Sequence, residues 1–185
     1  MQALNQYLAQ TLKQQRKAKG WSLDRAAKET GVSKAMLGQI ERSESSPTVA
    51  TLWKIAGGFH LSLSTFLEPP ASSFEETLIR DSAELRHQPA SDQMLVAPLF
   101  PFEPQFAFEL FELTLLPGYE RLADPHEKGV TEHVIVTDGE MELLVDGQWL
   151  ALKKGAAVRF AADKPHGYRN LHKAPAVFHS LIHYR

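Results

Sequence analysis

The sequence of 185 residues contains no cysteine, so disulfide bonds are excluded and any metal must be bound by histidine and carboxylate side chains. It contains no run of 18 apolar residues, so we expect no transmembrane helix and no membrane partner. The first residues lack the basic and apolar regions of a signal peptide. Together these absences predict a cytoplasmic protein.

Neither disorder nor a fibrous fold fits the composition, because 43% of the residues are hydrophobic and 23% are charged. The charge is unevenly distributed. Residues 1–70 contain nine Lys and Arg against five Asp and Glu, whereas the remainder contains eleven against seventeen. Only one of the eight histidines lies in the first 70 residues. A basic unit next to an acidic one predicts that the first unit alone contacts a polyanion.

Up to residue 67 the pattern is that of short helices. Leu4, Leu8 and Leu12 recur every four residues on one face of a first helix. Three further helices are predicted to start after hydroxyl residues at positions 22, 33 and 48, the residue types that cap helix N-termini. Gly57-Gly58 is predicted to end the fourth helix, and residues 63–67 are predicted to form a short fifth one.

After residue 92 the apolar residues alternate with period two, as in half-buried strands. Asp138-Gly139 and Asp146-Gly147 are typical of tight hairpin turns. Many short strands without helices between them predict a sandwich or a barrel. The stretch between the two patterns contains Pro69-Pro70, which favours an extended linker. We therefore predict an α+β protein with a helical domain over 1–67, a linker over 68–91 and a β domain over 92–185.

The second and third predicted helices, joined by a turn at Gly31, have the arrangement of a helix-turn-helix. In such a unit the second helix enters the major groove and contacts base edges with its N-terminal residues. A glutamine at position 39 can pair with adenine, and a lysine at position 34 can reach guanine or a phosphate. The candidate DNA-contacting residues are Ser33, Lys34, Ala35, Gly38, Gln39, Arg42 and Thr48.

This half of the sequence resembles the Xre/Cro/C1-type helix-turn-helix over about 55 residues. The residues that carry the resemblance are Arg16, Gly20-Trp21-Ser22-Leu23, Ala27, Gly31-Val32-Ser33, Leu37, Gln39-Ile40-Glu41-Arg42, Pro47-Thr48, Thr51-Leu52 and Lys54-Ile55-Ala56. The resemblance implies a five-helix DNA-binding bundle in which Arg16 and Glu41 form an internal ion pair. Gly38 stands where the family usually has serine, and it would allow close approach to the duplex backbone.

The β half resembles the cupin superfamily, a small double-sheet jelly roll that is also called a β-barrel. The resemblance rests on two motifs, Pro117-Gly118 through His126 and Glu132 to Gly139, and Gly155 through Pro165-His166 to Asn170. In this family the first motif supplies two histidines and a glutamate as metal ligands, and the second supplies another histidine. Here only one first-motif histidine is present. If His126 is the second one, Asp124 takes the place of the first; if it is the first, Lys128 replaces the second.

Two imidazoles and one carboxylate can bind a divalent metal, with Zn²⁺ the first choice, and leave a position open for a ligand. His126, Glu132 and His166 form that set. Whether His133 replaces Glu132 is open, although neighbouring residues of a strand point to opposite faces. The candidate residues for contacting a small-molecule ligand are Asp124, Tyr168 and His179.

A helix-turn-helix joined to a single cupin is typical of a family of bacterial transcription regulators. We therefore predict a homodimer that binds a double-stranded DNA operator and senses a small molecule through its cupin domain. Within that family the resemblance is strongest to sulfur-utilisation regulators, and it rests on residues 33–42, 45–56, 126–130 and 179–184. It implies a sulfur compound or an amino acid as effector. The alternative is a metal-dependent cupin enzyme of the dioxygenase or isomerase type, and a third possibility is a cupin that only dimerises the DNA-binding domains. The fused DNA-binding domain and the incomplete ligand set favour a sensor over an enzyme.

Overall fold

Four α-helices and one 3-10 turn form the N-terminal part of the computed structural model, which describes residues 2–69, 78–86 and 92–184. The chain divides into two compact units, Met1–Glu76 and Thr77–Arg185. The elements of the first unit are α1 (Gln2–Ala18), α2 (Leu23–Thr30), α3 (Lys34–Glu41), α4 (Val49–Phe59) and the 3-10 turn Leu63–Phe66. The sequence predicted a fifth helix where this 3-10 turn stands.

The starts of α2, α3 and α4 confirm the predicted N-caps. Ser22, Ser33 and Thr48 precede these helices, and the hydroxyl of each accepts a hydrogen bond from the backbone N–H three residues further on. Gly31 ends α2 in the left-handed conformation, with φ of 66°. The local sequence therefore sets the turn of the helix-turn-helix.

Apolar side chains from every helix fill the core of the first unit. The predicted face of α1 is confirmed by Leu8 and Leu12, which are 3% and 1% exposed; the side chain of Leu4 lies outside the described residues. The largest fully buried side chains described in this unit are Leu12, Leu37, Ile40, Ile55, Phe59, Leu63 and Phe66. Burial of this apolar surface holds the short helices together, since helices of 8 residues are not stable alone.

The prediction that Gly57-Gly58 ends α4 is wrong. The helix continues to Phe59, and His60 caps it in the left-handed conformation with φ of 56°. The physical reason lies in the packing of α4 against α2. A Cβ atom at Gly58 would lie 2.6 Å from the Glu29 carbonyl oxygen, whereas a Cβ atom at Gly57 would meet nothing within 4 Å. Gly58 thus allows two helix backbones to approach closely and does not act as a stop signal.

This contrast predicts opposite effects of alanine at two adjacent positions. Gly58→Ala should lower the free energy of unfolding of the first unit by about 1–3 kcal/mol, because backbone atoms of α2 must move to admit the methyl group. Gly57→Ala should raise it by up to about 1 kcal/mol through helix propensity. Urea unfolding followed by ellipticity at 222 nm measures both. Equal effects of the two substitutions would contradict the close approach of α2 and α4.

The second unit contains nine strands in the described ranges, arranged in two sheets. They are β1 (Met94–Glu103), β2 (Phe108–Leu115), β3 (Glu120–Ala123), β4 (Thr131–Asp138), β5 (Glu140–Val145), β6 (Gln148–Lys153), β7 (Ala157–Ala161), β8 (His166–Arg169) and β9 (Ala176–His183). The five-stranded sheet has the order β1-β2-β9-β4-β7, and the four-stranded sheet has the order β3-β8-β5-β6. The pairing registers within both sheets are antiparallel. The short β3 and β8 are strands that the sequence pattern did not predict.

The inner faces of the two sheets pack on one another. In β9 the residues Ala176, Phe178, Ser180 and Ile182 are buried, and the residues between them are half-buried. Tyr168 of the four-stranded sheet stacks on Phe178 of the five-stranded sheet with ring centroids 5.6 Å apart. The sequence predicted a sandwich or a barrel, and the described strands form two separate hydrogen-bonded sheets with a shared core.

The two Asp-Gly turns behave differently. Asp146-Gly147 joins β5 to β6 as a two-residue hairpin, with Val145 paired to Gln148, as predicted. Asp138-Gly139 does not form the predicted hairpin, because β4 and β5 lie in different sheets. Gly139 has φ of 71°, and a Cβ atom there would lie 2.4 Å from the Pro175 carbonyl oxygen. This glycine lets the chain pass from one sheet to the other beside a neighbouring backbone segment.

Part of the predicted linker belongs to the second unit. A short helix α5 (Ser82–Leu85) lies within the stretch 68–91, and Arg80 donates a hydrogen bond to the Pro98 carbonyl of β1 at 2.9 Å. Arg86 donates to Glu112 of β2 at 2.7 Å. Residues 70–77 and 87–91 of the predicted linker lie outside the described residues. None of the helices in the described ranges has the length and hydrophobicity needed to cross a lipid bilayer.

Candidate functional site

The outer face of α3 presents side chains to solvent at the place where a recognition helix contacts DNA. Ser33, Lys34, Ala35 and Gln39 are exposed, while Leu37 and Ile40 are buried. Six of the seven candidate DNA-contacting residues, all but Gly38, lie at the surface or half-buried at a helix N-terminus. The exposed amide of Gln39 is the group best suited to pair with a base edge.

Two cations of this surface are held by weak ion pairs. Lys34 Nζ lies 2.8 Å from Asp24 Oδ2, and Arg42 makes a two-pronged contact with Glu44 at 2.8 and 2.7 Å. The hydrogen bond from Arg42 holds the pKa of the Glu44 carboxyl below its usual value. All four side chains are more than half exposed, so the pairs contribute little to stability. Breaking either ion pair therefore costs little free energy.

Gly38 does not lie on this outer face, contrary to the prediction. It is buried, and a Cβ atom there would lie 3.2 Å from Arg42 Nη1 and 3.8 Å from Leu23 Cδ1. The small residue makes room for the side chain of Arg42 over the helix and for packing against α2. Gly38 thus contributes space for neighbouring side chains and presents no surface of its own on the outer face of α3.

The predicted ion pair between Arg16 and Glu41 is confirmed. Arg16 donates to both carboxylate oxygens, at 2.6 and 2.8 Å, and to the Trp21 carbonyl at 2.8 Å. The two side chains are only 15% and 8% exposed. The hydrogen bond to Glu41 raises the pKa of Arg16, although burial acts in the opposite direction. This pair joins the C-terminal end of α1 to the last residue of α3 and thereby fixes the recognition helix.

In the second unit, His126, Glu132 and His166 come together although they are up to 40 residues apart in the sequence. Glu132 lies on the inner face of β4, His166 begins β8 in the other sheet, and His126 lies in the segment between β3 and β4. Each offers one ligand atom, and these atoms lie within 4.8 Å of one another. His126 Nε2 is 3.1 Å from Glu132 Oε1.

The surroundings orient these side chains. His166 Nδ1 is 2.9 Å from the Lys164 carbonyl oxygen, so Nδ1 carries the proton as donor and Nε2 is left for the cluster. The His126 and His166 rings stack with centroids 5.6 Å apart. Tyr168 donates a hydrogen bond to Glu132 Oε2. Both oxygens of the carboxylate are therefore held in place.

The electrostatics keep Glu132 ionised. Burial alone would raise its pKa, but the hydrogen bond from His126, the electrostatic attraction of His126 and His166 and the hydrogen bond from Tyr168 outweigh burial and hold the pKa below its usual value. Burial and the neighbouring Glu132 raise the pKa of Tyr168 well above its usual value. At neutral pH the carboxylate is an acceptor and the phenol remains a donor.

The cluster fits a divalent metal. The 3.1 Å between His126 Nε2 and Glu132 Oε1 is close to the separation of about 3.3 Å between two ligands of a tetrahedral Zn²⁺ with bonds of about 2.0 Å. Two imidazoles and one ionised carboxylate suit Zn²⁺ and leave a fourth position. Glu132 and His166 are each 2% exposed, so the site lies between the sheets and not at the surface.

Three other residues considered for this site do not join the cluster. Asp124 is exposed in the segment after β3. His179 and His133 lie on the outer face of the five-stranded sheet, because strand alternation points Glu132 and Phe178 inward. His179 Nε2 is instead 3.6 Å from Glu112 Oε2. The expectation of a ligand role for Asp124 and His179 at the cluster is therefore corrected, and Glu132, not His133, is the residue that faces His126.

Sequence reasoning missed a second buried carboxylate. Glu109 of β2 is fully buried and accepts a hydrogen bond from Tyr184. Burial and the neighbouring Glu109 raise the pKa of Tyr184. Glu109 pairs in register with Ile182, which pairs with Glu132, so the two carboxylates lie on the same inner face two strands apart. The signal was available, since Glu109 is in phase with the apolar Phe111 and Leu113.

Comparisons with known proteins agree with both units. Residues 12–66 match the helix-turn-helix family HTH_3, and residues 111–182 match the cupin domain family Cupin_2. The HTH-type transcriptional regulator SutR of Escherichia coli strain K12 is 51% identical over 184 residues, which covers 100% of this chain and 98% of the relative. This confirms the resemblance to a helix-turn-helix and cupin regulator inferred from the sequence.

Two solved structures are similar as well. An HTH_3 family transcriptional regulator from Vibrio cholerae is 40% identical, with a TM-score of 0.81 and coverage of 99% of this chain and 98% of that chain. The Cupin_2 domain of an XRE family transcriptional regulator from Enterobacter cloacae is 49% identical, with a TM-score of 0.50 and coverage of 51% of this chain and 99% of that one. Because the identity of 51% extends over the whole chain, the chain belongs to the family of HTH-type transcriptional regulators that join a helix-turn-helix domain to a cupin domain.

Proposed function

We propose that this regulator binds a specific double-stranded DNA operator through α3 and senses a small molecule at a divalent metal held by His126, Glu132 and His166. The convergence of these three side chains between the sheets is the observation that carries the sensing role. A metal at this position would supply a Lewis acid with an open coordination site. The chain itself contributes the oriented imidazoles, the ionised Glu132 and the phenol of Tyr168.

The DNA-binding role rests on the surface of α3. Ser33 caps its N-terminus, where backbone N–H groups favour a phosphate, and Gln39 extends from the exposed face. Lys34 and Arg42 are positioned to exchange their carboxylate partners for phosphates. Thr48 caps α4 and offers a second helix N-terminus to the DNA backbone.

The effector class follows from the donors around the metal position. An open position next to two imidazoles accepts an amine, a carboxylate or a thioether of a small molecule. Tyr168 from the four-stranded sheet and the buried Glu109 from the inner face of the five-stranded sheet supply polar partners, and the half-buried Tyr184 donates a hydrogen bond to Glu109. We therefore propose a small polar metabolite as effector, with sulfur compounds and amino acids as the first candidates to test.

A homodimer is part of the proposal. One helix-turn-helix unit contacts a single half-site, and two units about 34 Å apart along the duplex are needed for specific affinity. We assign residues 1–67 to DNA binding and residues 92–185, a cupin jelly roll, to sensing and dimerisation. The stretch 68–91 connects them, and its helix α5 belongs to the second unit. Such a protein acts where the DNA is, in the cytoplasm. A monomer in sedimentation at micromolar concentration would contradict the dimer.

We assign sensing and not catalysis to the cupin domain, because the first unit is a DNA-binding domain and the full-length relatives are transcriptional regulators. The assignment is tested with the purified full-length protein in three measurements. Elemental analysis and mass spectrometry identify what the protein retains. Selection from random duplexes yields an operator, and binding is then measured with and without a chelator and candidate effectors. Turnover of an effector would instead identify a metal-dependent enzyme of the dioxygenase or isomerase type.

Substitution of the recognition glutamine should relax operator specificity. Gln39→Ala is expected to lose about 1–3 kcal/mol of discrimination at one base pair, because the amide that pairs with the base edge is gone. Gln10→Ala, an exposed glutamine of α1, is the control and should change nothing. Lys34→Ala shows whether Lys34 contacts a base or a phosphate. Loss of a phosphate contact lowers the slope of the logarithm of the binding constant against the logarithm of the salt concentration by about one. Unchanged sequence preference in Gln39→Ala would show that α3 is not the recognition helix.

A further inference from the structure

A shallow cavity of about 620 Å³ lies on the outer face of the five-stranded sheet and plays no part in the proposed metal site. It is lined by Thr131, His133, Arg159 and His183. In β4 the inner Glu132 faces the metal cluster, whereas its neighbours Thr131 and His133 face this cavity. The two sites thus lie on opposite sides of one sheet.

Strand register brings the four side chains together. His133 pairs directly with Arg159 of β7, and Thr131 pairs with His183 of β9. Side chains of directly paired residues lie about 5 Å apart at their Cβ atoms. One permanent cation, two imidazoles and one hydroxyl therefore converge from three adjacent strands.

No acid neutralises this group within the described ranges. Lys34, Arg42 and Arg169 each contact a carboxylate, but Arg159, His133 and His183 form no ion pair with any Asp or Glu that the structure describes. His133 Nδ1 is buried without a hydrogen-bond partner among the described residues, a condition that is rare in folded proteins. The cavity is a concave donor-rich surface that lacks an anionic partner within the chain.

We propose that this cavity is a binding site for a small oxyanion, a carboxylate, sulfate or phosphate group. The Arg159 guanidinium matches two anionic oxygens at once, and charge-assisted hydrogen bonds of this kind are the strong ones. The imidazole N–H groups and the Thr131 hydroxyl donate to the remaining oxygens. The site is separate from the metal cluster, and it goes beyond the proposed effector site.

The test uses the full-length protein in isothermal titration calorimetry with succinate, sulfate and phosphate, each at constant ionic strength. At least one anion should bind, and Arg159→Gln should weaken that binding by at least about tenfold. Comparison of the affinities of the three anions shows whether the site prefers a carboxylate or an inorganic oxyanion. Lys154→Gln removes the same charge from an exposed pair with Asp138 in the same unit and should bind as the parent does. His183→Gln provides a second variant of the cavity itself.

The double variant His126→Ala/His166→Ala separates this proposal from the metal site. It should bind the anion with unchanged affinity, because the cavity is on the other side of the sheet. The proposal is overturned if no anion binds at up to about 10 mM, if Arg159→Gln binds as tightly as the parent, or if the double variant loses binding. It is also overturned if Arg159→Gln alters the oligomeric state without any anion, since Arg159 would then bind a carboxylate of a second copy.

Discussion

Replacing His126 and His166 together with alanine will abolish metal retention and effector response while operator binding by α3 persists. Only Glu132 of the cluster then remains, and one carboxylate does not hold Zn²⁺ between two sheets. Metal affinity should fall by more than about a hundredfold, because loss of a residue that only hydrogen-bonds to a metal ligand already lowers the affinity by up to about a hundredfold. Elemental analysis after dialysis measures the metal, and gel-shift titration measures the DNA affinity.

His179→Ala is the matched control for this experiment. It removes an imidazole from the same unit, but one that lies on the outer face near Glu112. The control should keep the metal and the effector response. Glu132→Gln is a third variant that preserves side-chain volume, and it should also lose the metal. Stoichiometric metal in the double histidine variant would refute the assignment of these ligands.

The effector response has a thermodynamic consequence. If an effector changes operator affinity by some factor, operator DNA must change effector affinity by the same factor. Such coupling requires that the effector favour one arrangement of the linked DNA-binding units over another. Titrating the effector in the presence and absence of operator therefore checks the sensing role without any substitution. Equal effector affinities would leave the cupin domain as a dimerisation module only.

Glu41→Gln is expected to lower the free energy of unfolding of the first unit by about 3 kcal/mol, because Arg16 then stays buried without its anionic partner. The hydrogen bond from Arg16 to the Trp21 carbonyl does not neutralise the charge. Urea unfolding followed at 222 nm reports this unit, since every described helix of eight or more residues belongs to it. Operator affinity should fall in parallel, because the pair holds the end of α3 against α1.

Glu44→Gln is the control for Glu41→Gln. Glu44 also forms a two-pronged contact with an arginine, but the pair with Arg42 is exposed to solvent. Screening by water makes such a pair nearly neutral for stability, so the unfolding midpoint should hardly move. A Glu41→Gln protein as stable as the parent would show that the buried pair adds nothing beyond packing.

Features with a local physical cause could be predicted from the sequence alone. Caps at Ser22, Ser33 and Thr48 depend on a hydroxyl three residues before a backbone N–H, and the hairpin at Asp146-Gly147 depends on the left-handed conformation of two adjacent residues. The helix-turn-helix followed from these signals and from apolar periodicity. The pairing of Arg16 with Glu41 and the set His126, Glu132 and His166 were predicted through family resemblance.

Features that depend on which backbone lies beside which could not be predicted in this way. A glycine in the sequence does not show whether it ends a helix or allows another backbone segment to approach. Only the packing of α4 on α2 shows why Gly58 is required. Only the sheet topology shows that Gly139 lies where the chain passes from one sheet to the other. Strand register decided that Glu109 lies two strands away from Glu132, with Ile182 between them, and that His133 pairs with Arg159 across β4 and β7. The residue types and their local conformations are properties of the sequence, whereas contacts between distant segments exist only once the two sheets and the helices have packed.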